Sequence, residues 1–395
     1  MGDRRQVKNL YYITHVNNIP SILERGILSH QLVRAEEVLY TAIYDEEIIS
    51  TRREKTTPDG KSLWSYANFY FQPRNPMLFR VTCEKSIDDI AIIALRADVL
   101  SQEGVLVTDG NAASGPSKFF PSSQLRDVLS RIGDELDRKY WTEEDGSKRK
   151  IMAEVLVPDK APPEFIESIY VADHQVSEKV KQLIQGSDLP IIPQKEMFFQ
   201  PPWRKDLTEH LSVLEGDLFF SRLQTLTVSV NVVGIMGKGL ASRAKYQFPD
   251  VYVHYQDLCR NKTLQMGKPY LYKRESSLDL QLADEPDKLA NANAETWFLL
   301  FPTKRHWKDK ADINGIKKGL EWLKETYKKE GVKSLAVPAL GCGLGWLKWE
   351  EVGPILCKYL SSLEIPVQLY LPAERKIDNK FLSPEFLLGK RSQSL

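Results

Sequence analysis

The stretch Thr227-Val-Ser-Val-Asn231-Val-Val-Gly234-Ile-Met236-Gly237-Lys238-Gly239 decides how the second half of this chain is read. Thr227–Val233 is β-branched and apolar, which predicts a buried strand. A glycine loop follows, and then a helical pattern running to Phe248. Working outward, the alternation continues. Strands are expected at Tyr270–Lys273, Trp297–Phe301, Val332–Leu340 and Val367–Leu371, and helices at Ile313–Glu330 and Glu350–Leu360. Such alternation implies a largely parallel sheet covered on both faces, with ligands at the carboxyl ends of its strands. A second glycine loop, Gly341-Cys342-Gly343-Leu344-Gly345, also follows a strand directly. Glycines there let the backbone approach a ligand, and amides at a helix start attract phosphate. Neither loop has P-loop or GxGxxG spacing, so tight turns without a ligand remain the competing reading.

The chain has 395 residues, enough for two or three domains, with 42% hydrophobic and 27% charged residues. A net charge of +1 gives no support for nucleic-acid binding, but a local basic groove can hide in a neutral total. Cys83, Cys259, Cys342 and Cys357 lack CxxC spacing, which argues against a zinc site or a disulfide framework, and no metal is expected. There is no apolar leader and no apolar run of membrane-spanning length, so a cytoplasmic protein with no membrane partner is expected. Pro190, Pro193, Pro201 and Pro202 mark a boundary between Gly186 and Asp206.

Several blocks of the second half together resemble a macrodomain, most of all that of the DarG antitoxin family. They are Glu215-Gly-Asp217-Leu, Val230–Leu240, Phe248-Pro, Phe301-Pro-Thr-Lys304-Arg-His-Trp307 and Val337–Gly345. The resemblance implies a three-layer α/β/α domain that binds ADP-ribose and removes it from DNA. It implies that Gly234, Met236, Gly237, Lys238 and Gly239, with Gly341, Cys342, Gly343, Leu344 and Gly345, cradle the diphosphate and distal ribose. Asn231 would face that ribose and Asp217 would meet the adenine. Lys304 would be needed for hydrolysis, since a buried lysine loses basicity and can act as nucleophile or electrostatic catalyst. Without the resemblance, Lys304 reads as one more surface cation in a basic run, and Asp217 as a turn aspartate. His306 and Trp307 are read as packing at, or covering, the mouth.

The first half mixes strands and helices without regular alternation. Tyr11–His15, Met77–Val81, Ile90–Leu95, Gly104–Thr108, Ala153–Val157 and Ile169–Val171 read as strands. A helix starting at Asn17 or Asn18 and ending at Gly26, and another over Ser123–Arg138, are predicted. Ala153-Glu154-Val-Leu-Val157 sets one carboxylate in an apolar strand, either on a solvated face or aimed into a cleft.

With Tyr11–His15, Arg52-Arg53, Asn68–Phe71, Arg74–Met77 and Asp109–Ser114, this half resembles the DarT toxin family, which ADP-ribosylates bases in single-stranded DNA. The resemblance implies an ADP-ribosyltransferase-like mixed domain, NAD as substrate, Glu154 as catalytic residue and Arg53 as the working member of the arginine pair. Tyr12, Ile13 and Thr14 would supply backbone contacts on the nicotinamide side, with a ribose contact at Ser21. The stretch Asp109–Lys150 would carry the acceptor site. It holds Lys118, Phe119, Phe120, Arg126, Tyr140, Trp141, Lys148, Arg149 and Lys150, a mixture suited to single strands but equally a solvated helix face with core aromatics.

The expected whole is therefore α+β followed by α/β. Residues 1–199 form the transferase, 200–207 a linker, 208–375 the macrodomain and 376–395 a tail, with intramolecular contact between the domains. Its expected activity is ADP-ribosylation of single-stranded DNA, guanine in preference to thymine, undone by the fused macrodomain as in a toxin–antitoxin pair. Rival readings are a macrodomain that only reads ADP-ribose or ADP-ribosylated DNA, a transferase for protein or RNA or a plain NAD glycohydrolase, and an inactive pair kept for interaction.

Overall fold

Strand β1 (Asn9–His15) opens a sheet that also takes β3 (Tyr66–Tyr70), β4 (Ile90–Arg96), β5 (Leu106–Thr108), β6 (Phe119–Pro121), β7 (Glu154–Pro158), β9 (Ile166–Val171) and β10 (Ile191–Pro193). The computed structural model describes residues 6–44 and 46–389, side chains 46–49 excepted. The sheet order is β10-β9-β4-β1-β3-β7-β5-β6, antiparallel except for the parallel β9–β10 pair. Strands β2 (Ile27–Leu28) and β8 (Lys160–Ala161) pair separately.

The central pair is incomplete. β1 matches β4 along its whole length, from Asn9↔Arg96 to His15↔Ile90, but meets β3 only at Tyr11↔Tyr70. From Tyr12 onward the β1 edge facing β3 makes no strand pairing, so the sheet is split in its middle. One face of the sheet is core, with Leu10, Phe69, Ile93, Val107, Val155 and Ile169 buried together.

Met77–Val81, expected as a strand, lies in the helix Pro76–Glu84. Its residues have strand character one by one, but Asn75 caps Leu78 N–H at 3.0 Å and Pro76 opens the first turn. Local capping overrides side-chain preference here.

The second sheet comprises β11 (Trp203–Asp206), β12 (Leu211–Glu215), β13 (Thr225–Asn231), β14 (Tyr270–Tyr272), β15 (Trp297–Lys304), β16 (Leu335–Pro338) and β17 (Val367–Tyr370). Its order is β11-β12-β17-β16-β13-β15-β14, with five central parallel strands between antiparallel edges. The helix Ile313–Glu330 begins where Asp312 caps Asn314 and Gly315 and ends at Gly331. A Cβ on Gly319 would sit 2.5 Å from the Phe301 ring, so this glycine lets the helix press onto β15.

Three boundaries differ from expectation. Residues 200–207 are not a free linker, because Trp203–Asp206 pairs with Ser212–Glu215 as an edge strand. Residues 376–389 are not a loose tail. Leu382 and Leu387 are buried and Trp349 Nε1 donates to Phe381 O at 3.0 Å. Most notably, the two compact units are not consecutive in sequence. One is Met1–Gln200 with Asp279–Ala292, and the other is Pro201–Leu278 with Asn293–Leu395. Among the described residues no helix is long and apolar enough to cross a membrane.

Candidate active sites

In the first unit Tyr11, Tyr70 and Glu154 stand side by side across β1, β3 and β7. Cross-strand partners in register project to one face of a sheet. Glu154 lies at the start of β7, where Thr108 Oγ1 accepts its N–H at 2.9 Å. The solvated-face reading of Glu154 is ruled out, because the residue has 0% exposure. Its Oε1 accepts from Arg52 Nη1 at 3.2 Å and from Ala112 N–H at 2.9 Å, and its Oε2 from Arg52 Nη2 at 2.7 Å. A carboxylate offers about four lone-pair sites, so three donors leave room for one more.

The arginine that meets Glu154 is therefore Arg52 and not Arg53. Arg53 is exposed and lies over the Trp64 ring at 5.4 Å. Both sit in the last turn of the helix Glu46–Glu54, and a step of one residue turns a side chain by roughly 100° around a helix. Burial alone would lower Arg52, but the adjacent Glu154 outweighs it and holds the guanidinium above its usual range. Burial likewise pushes Tyr70 well above the ordinary tyrosine value and Tyr12 up to about 12.

Tyr12, Ile13 and Thr14 lie on the unpaired edge of the split. The Tyr12 ring packs against Phe69 with centroids 6.0 Å apart, so that residue offers its backbone to the split. Thr14 Oγ1 accepts from Asn18 Nδ2 at 3.1 Å, and the same amide group donates to Thr41 O at 2.9 Å. Ser21 is half-buried on the helix Ile19–Arg25 and is not among the hydrogen-bond partners of Glu154. Residues missed by sequence reasoning are Arg52 as the paired arginine, Tyr70, Thr108 and the Ala112 amide. Each lay in a block the sequence had marked, the arginine pair, Asn68–Phe71 and the loop from Thr108, but without a signal for which residue meets Glu154.

In the second unit the two glycine loops leave the carboxyl ends of β13 and β16, neighbours in the sheet, and Lys304 ends β15 on the other side of β13. Lys304 Nζ donates to Leu344 O at 3.0 Å and Trp307 O at 3.3 Å, so it reaches the second loop. Burial lowers its pKa, and Trp346 lies 5.8 Å away. The helix Gly239–Gln247 begins at Lys238, which supplies no side-chain cap, so its first-turn amides point outward unmet by a cap. Among the described residues the N–H groups of Gly343, Leu344 and Gly345 find no acceptor, whereas Cys342 N–H is used on Ala339 O. A Cβ on Gly345 would lie 2.5 Å from Gly341 O, so the loop closes on itself too tightly for any side chain there. The Cys342 thiol is buried and pushed up to about 12 by burial, so it faces the core rather than a ligand.

Two expected ligand contacts are otherwise occupied. Asn231 Oδ1 accepts from Val233 N–H at 3.0 Å, and its Nδ2 donates to Ile235 O at 2.6 Å. The Tyr255 hydroxyl lies 2.9 Å from the same Oδ1. Asn231 thus shapes the loop around Gly234 and Met236. Asp217 caps Phe219 N–H at 3.1 Å and pairs with Arg243, which lies over Phe219 at 5.1 Å. Exposed Val233, Ile235, Trp307, Leu344 and Trp346 surround these loops with apolar surface.

A split antiparallel sheet with a buried Glu–Arg pair in one unit, and a parallel sheet with two glycine loops in the other, are the features of an ADP-ribosyltransferase and of a macrodomain. A family profile described as "ssDNA thymidine ADP-ribosyltransferase, DarT" matches residues 11–199, and one described as "Macro domain" matches residues 292–356. A DNA ADP-ribosyl transferase–DNA ADP-ribosyl glycohydrolase fusion protein of Thermosipho africanus is 55% identical over 382 residues, covering 96% of this chain and 98% of that one. The solved structure of Thermosipho africanus DarTG in complex with ADP-ribose superposes with a TM-score of 0.91 at 54% identity, covering 96% of this chain and 100% of that one. A DNA ADP-ribosyl glycohydrolase of Thermus aquaticus is 34% identical over 165 residues, 42% of each chain. The chain belongs to the family of fused DNA ADP-ribosyltransferase–DNA ADP-ribosyl glycohydrolases, a DarT domain followed by a DarG-type macrodomain.

Proposed function

We propose that the first unit transfers ADP-ribose from NAD to a base of single-stranded DNA, guanine in preference to thymine, and that the macrodomain removes it. The observation that carries the transfer is the buried Glu154 carboxylate, held by Arg52 and the Ala112 amide with one acceptor site to spare. Cleavage breaks the bond between the ribose carbon and the nicotinamide nitrogen, which keeps the electron pair. The ribose then carries oxocarbenium character, as in glycoside hydrolysis. A fixed carboxylate beside it stabilises that charge and accepts a ribose hydroxyl. The attacking base nitrogen forms the new bond and releases its proton. Arg52 is the positioning arginine of this step, in place of Arg53, and the free edge at Tyr12–Thr14 suits an amide-bearing ring.

For removal, the reading rests on Lys304, with Gly239, the Gly343–Gly345 amides and the helix start binding diphosphate. A lysine made less basic by burial favours a hydrolase over a passive reader. Guanine is proposed from the Asn68–Phe71, Arg74–Met77 and Asp109–Ala113 blocks. The matching family is named for thymidine, so the test must hold both bases. The Lys304→Ala protein is incubated with NAD and four single-stranded oligonucleotides, each with one candidate base, and their masses are measured. Gain of one ADP-ribose on the guanine strand, absent with Glu154→Ala and reversed by the Lys304 protein, is expected. NAD consumption with no DNA gaining mass sinks the DNA reading; gain on thymine alone sinks the base assignment.

A further inference from the structure

The segment Asp279–Ala292 runs in sequence between β14 and β15 of the macrodomain, yet it belongs to the transferase unit. Leu282 and Ala283 are fully buried there. Arg80, with 0% exposure on the helix Pro76–Glu84, donates to three of its carbonyls: Asp284 at 3.3 Å, Glu285 at 2.8 Å and Lys288 at 2.8 Å. Trp141, also buried, donates its indole N–H to Leu282 O at 2.8 Å. Asp284 N–H donates to Pro76 O at 3.1 Å, and the Tyr44 hydroxyl donates to Asp284 Oδ2 at 3.1 Å. A merely resting strap would leave the groups beneath it hydrogen-bonded to one another. Here buried donors of the transferase find acceptors on the segment's backbone, and leaving such donors unmet is costly.

The segment's charge is also felt at the candidate site. The Asp284 carboxyl is close enough to Arg52 and Tyr70 to act on both electrostatically, and Arg80 lies 5.3 Å from the Tyr44 ring. Tyr44 stands just before the helix that carries Arg52.

We propose that Asp279–Ala292 is a working part of the transferase, with Asp284 positioning the Arg52–Glu154 pair through Tyr44. The eraser's own sequence completes the writer, so residues 1–200 form an effective transferase only while the macrodomain chain is attached. This rests on the transferase reading above.

The test is made in the full chain. Residues 280–291 are replaced by a glycine–serine run of equal length, with Lys304 present for the hydrolase assay and with Lys304→Ala for the transfer assay. DNA transfer is expected to fall about 100-fold while hydrolysis of premodified DNA persists. Amide exchange in β3, β7 and Pro76–Glu84 is expected to accelerate. Unchanged transfer with intact hydrolysis overturns the proposal, and increased transfer identifies the segment as an inhibitory plug instead. Should the replacement abolish both activities, point variants decide. Asp284→Ala is expected to lower kcat about tenfold with the KM for NAD within twofold, and Asp284→Asn, which still accepts from Tyr44, to restore it. Equal kcat for Asp284→Ala and the parent overturns it. If the Lys304→Ala parent modifies no DNA, the function reading fails, and the exchange measurement alone judges the segment.

Discussion

Adjacent arginines give the sharpest test of the transferase geometry. Arg52→Ala removes two of the three donors to a carboxylate of 0% exposure, leaving only the Ala112 amide. Stripping one partner from a buried ion pair costs about 3–5 kcal/mol. Arg53→Ala loses an exposed contact over Trp64, worth about 0.5 kcal/mol. In a Lys304→Ala chain, Arg52→Ala is expected to lower the denaturation midpoint of the transferase unit and to cut DNA transfer by about 100-fold or more. Arg53→Ala is expected to leave transfer within about threefold, since 0.5 kcal/mol is worth roughly a factor of two. Adding Glu154→Gln to Arg52→Ala should recover most of the lost stability, because the carboxylate no longer lies buried without its cation, while transfer stays absent. Thermal unfolding of the parent, Arg52→Ala, Glu154→Gln and the double variant, alongside oligonucleotide mass spectrometry, provides the cycle. Loss of transfer in Arg53→Ala with Arg52→Ala near normal would refute the assignment of Arg52.

Gly345→Ala drives a Cβ to 2.5 Å from Gly341 O, where only backbone can move, so it should cost about 1–3 kcal/mol and weaken ADP-ribose binding at least about tenfold by calorimetry. Asn231→Ala frees the loop amides and the Tyr255 hydroxyl, and about 2 kcal/mol of stability should go with a matching loss of ADP-ribose affinity. Lys304→Ala should bind ADP-ribose and fail to hydrolyse modified DNA. Burial holds Lys304 below the ordinary 10.5, so hydrolysis should rise along an alkaline limb with its midpoint under 10.5. Arginine does not deprotonate, so the Lys304→Arg protein should lack that limb. Because the folded-state pKa is depressed, the charged lysine costs stability at low pH, and stability should increase as pH climbs through the folded value. A flat profile for the Lys304 protein counts against its role.

The parallel α/β character of the second half was legible in the sequence because its signals are local, and resemblance supplied the macrodomain. A β-branched run, glycines and a helix start lie within thirteen residues at Thr227–Gly239, and the helix Ile313–Glu330 has its cap and its terminal glycine in place. The position of Glu154 in an apolar strand was equally plain, but its surroundings were not. Whether it faced water or a cation depended on β3, β5 and the Glu46–Glu54 helix meeting around it, and the choice between Arg52 and Arg53 was one of helical phase. Asn231 looked like a ligand group because strand-end asparagines after a β-run suit sugars; only the fold brought Tyr255 and Ile235 within reach to occupy it. Met77–Val81 read as a strand because residue preference was weighed above the Asn75 cap.

Sequence alone thus determined the two-part character of the chain, the two glycine loops and the lone carboxylate Glu154 in an apolar strand, since each is written in contiguous residues; Lys304 and the role of Glu154 were singled out only by resemblance to the two families. Tertiary structure alone decided which arginine holds the carboxylate, that the sheet parts between β1 and β3, and that Asp279–Ala292 packs into the transferase unit. These depend on long-range pairing, in which buried donors such as Arg80 and Trp141 take whichever acceptors the folded chain brings to them, at separations no local pattern records.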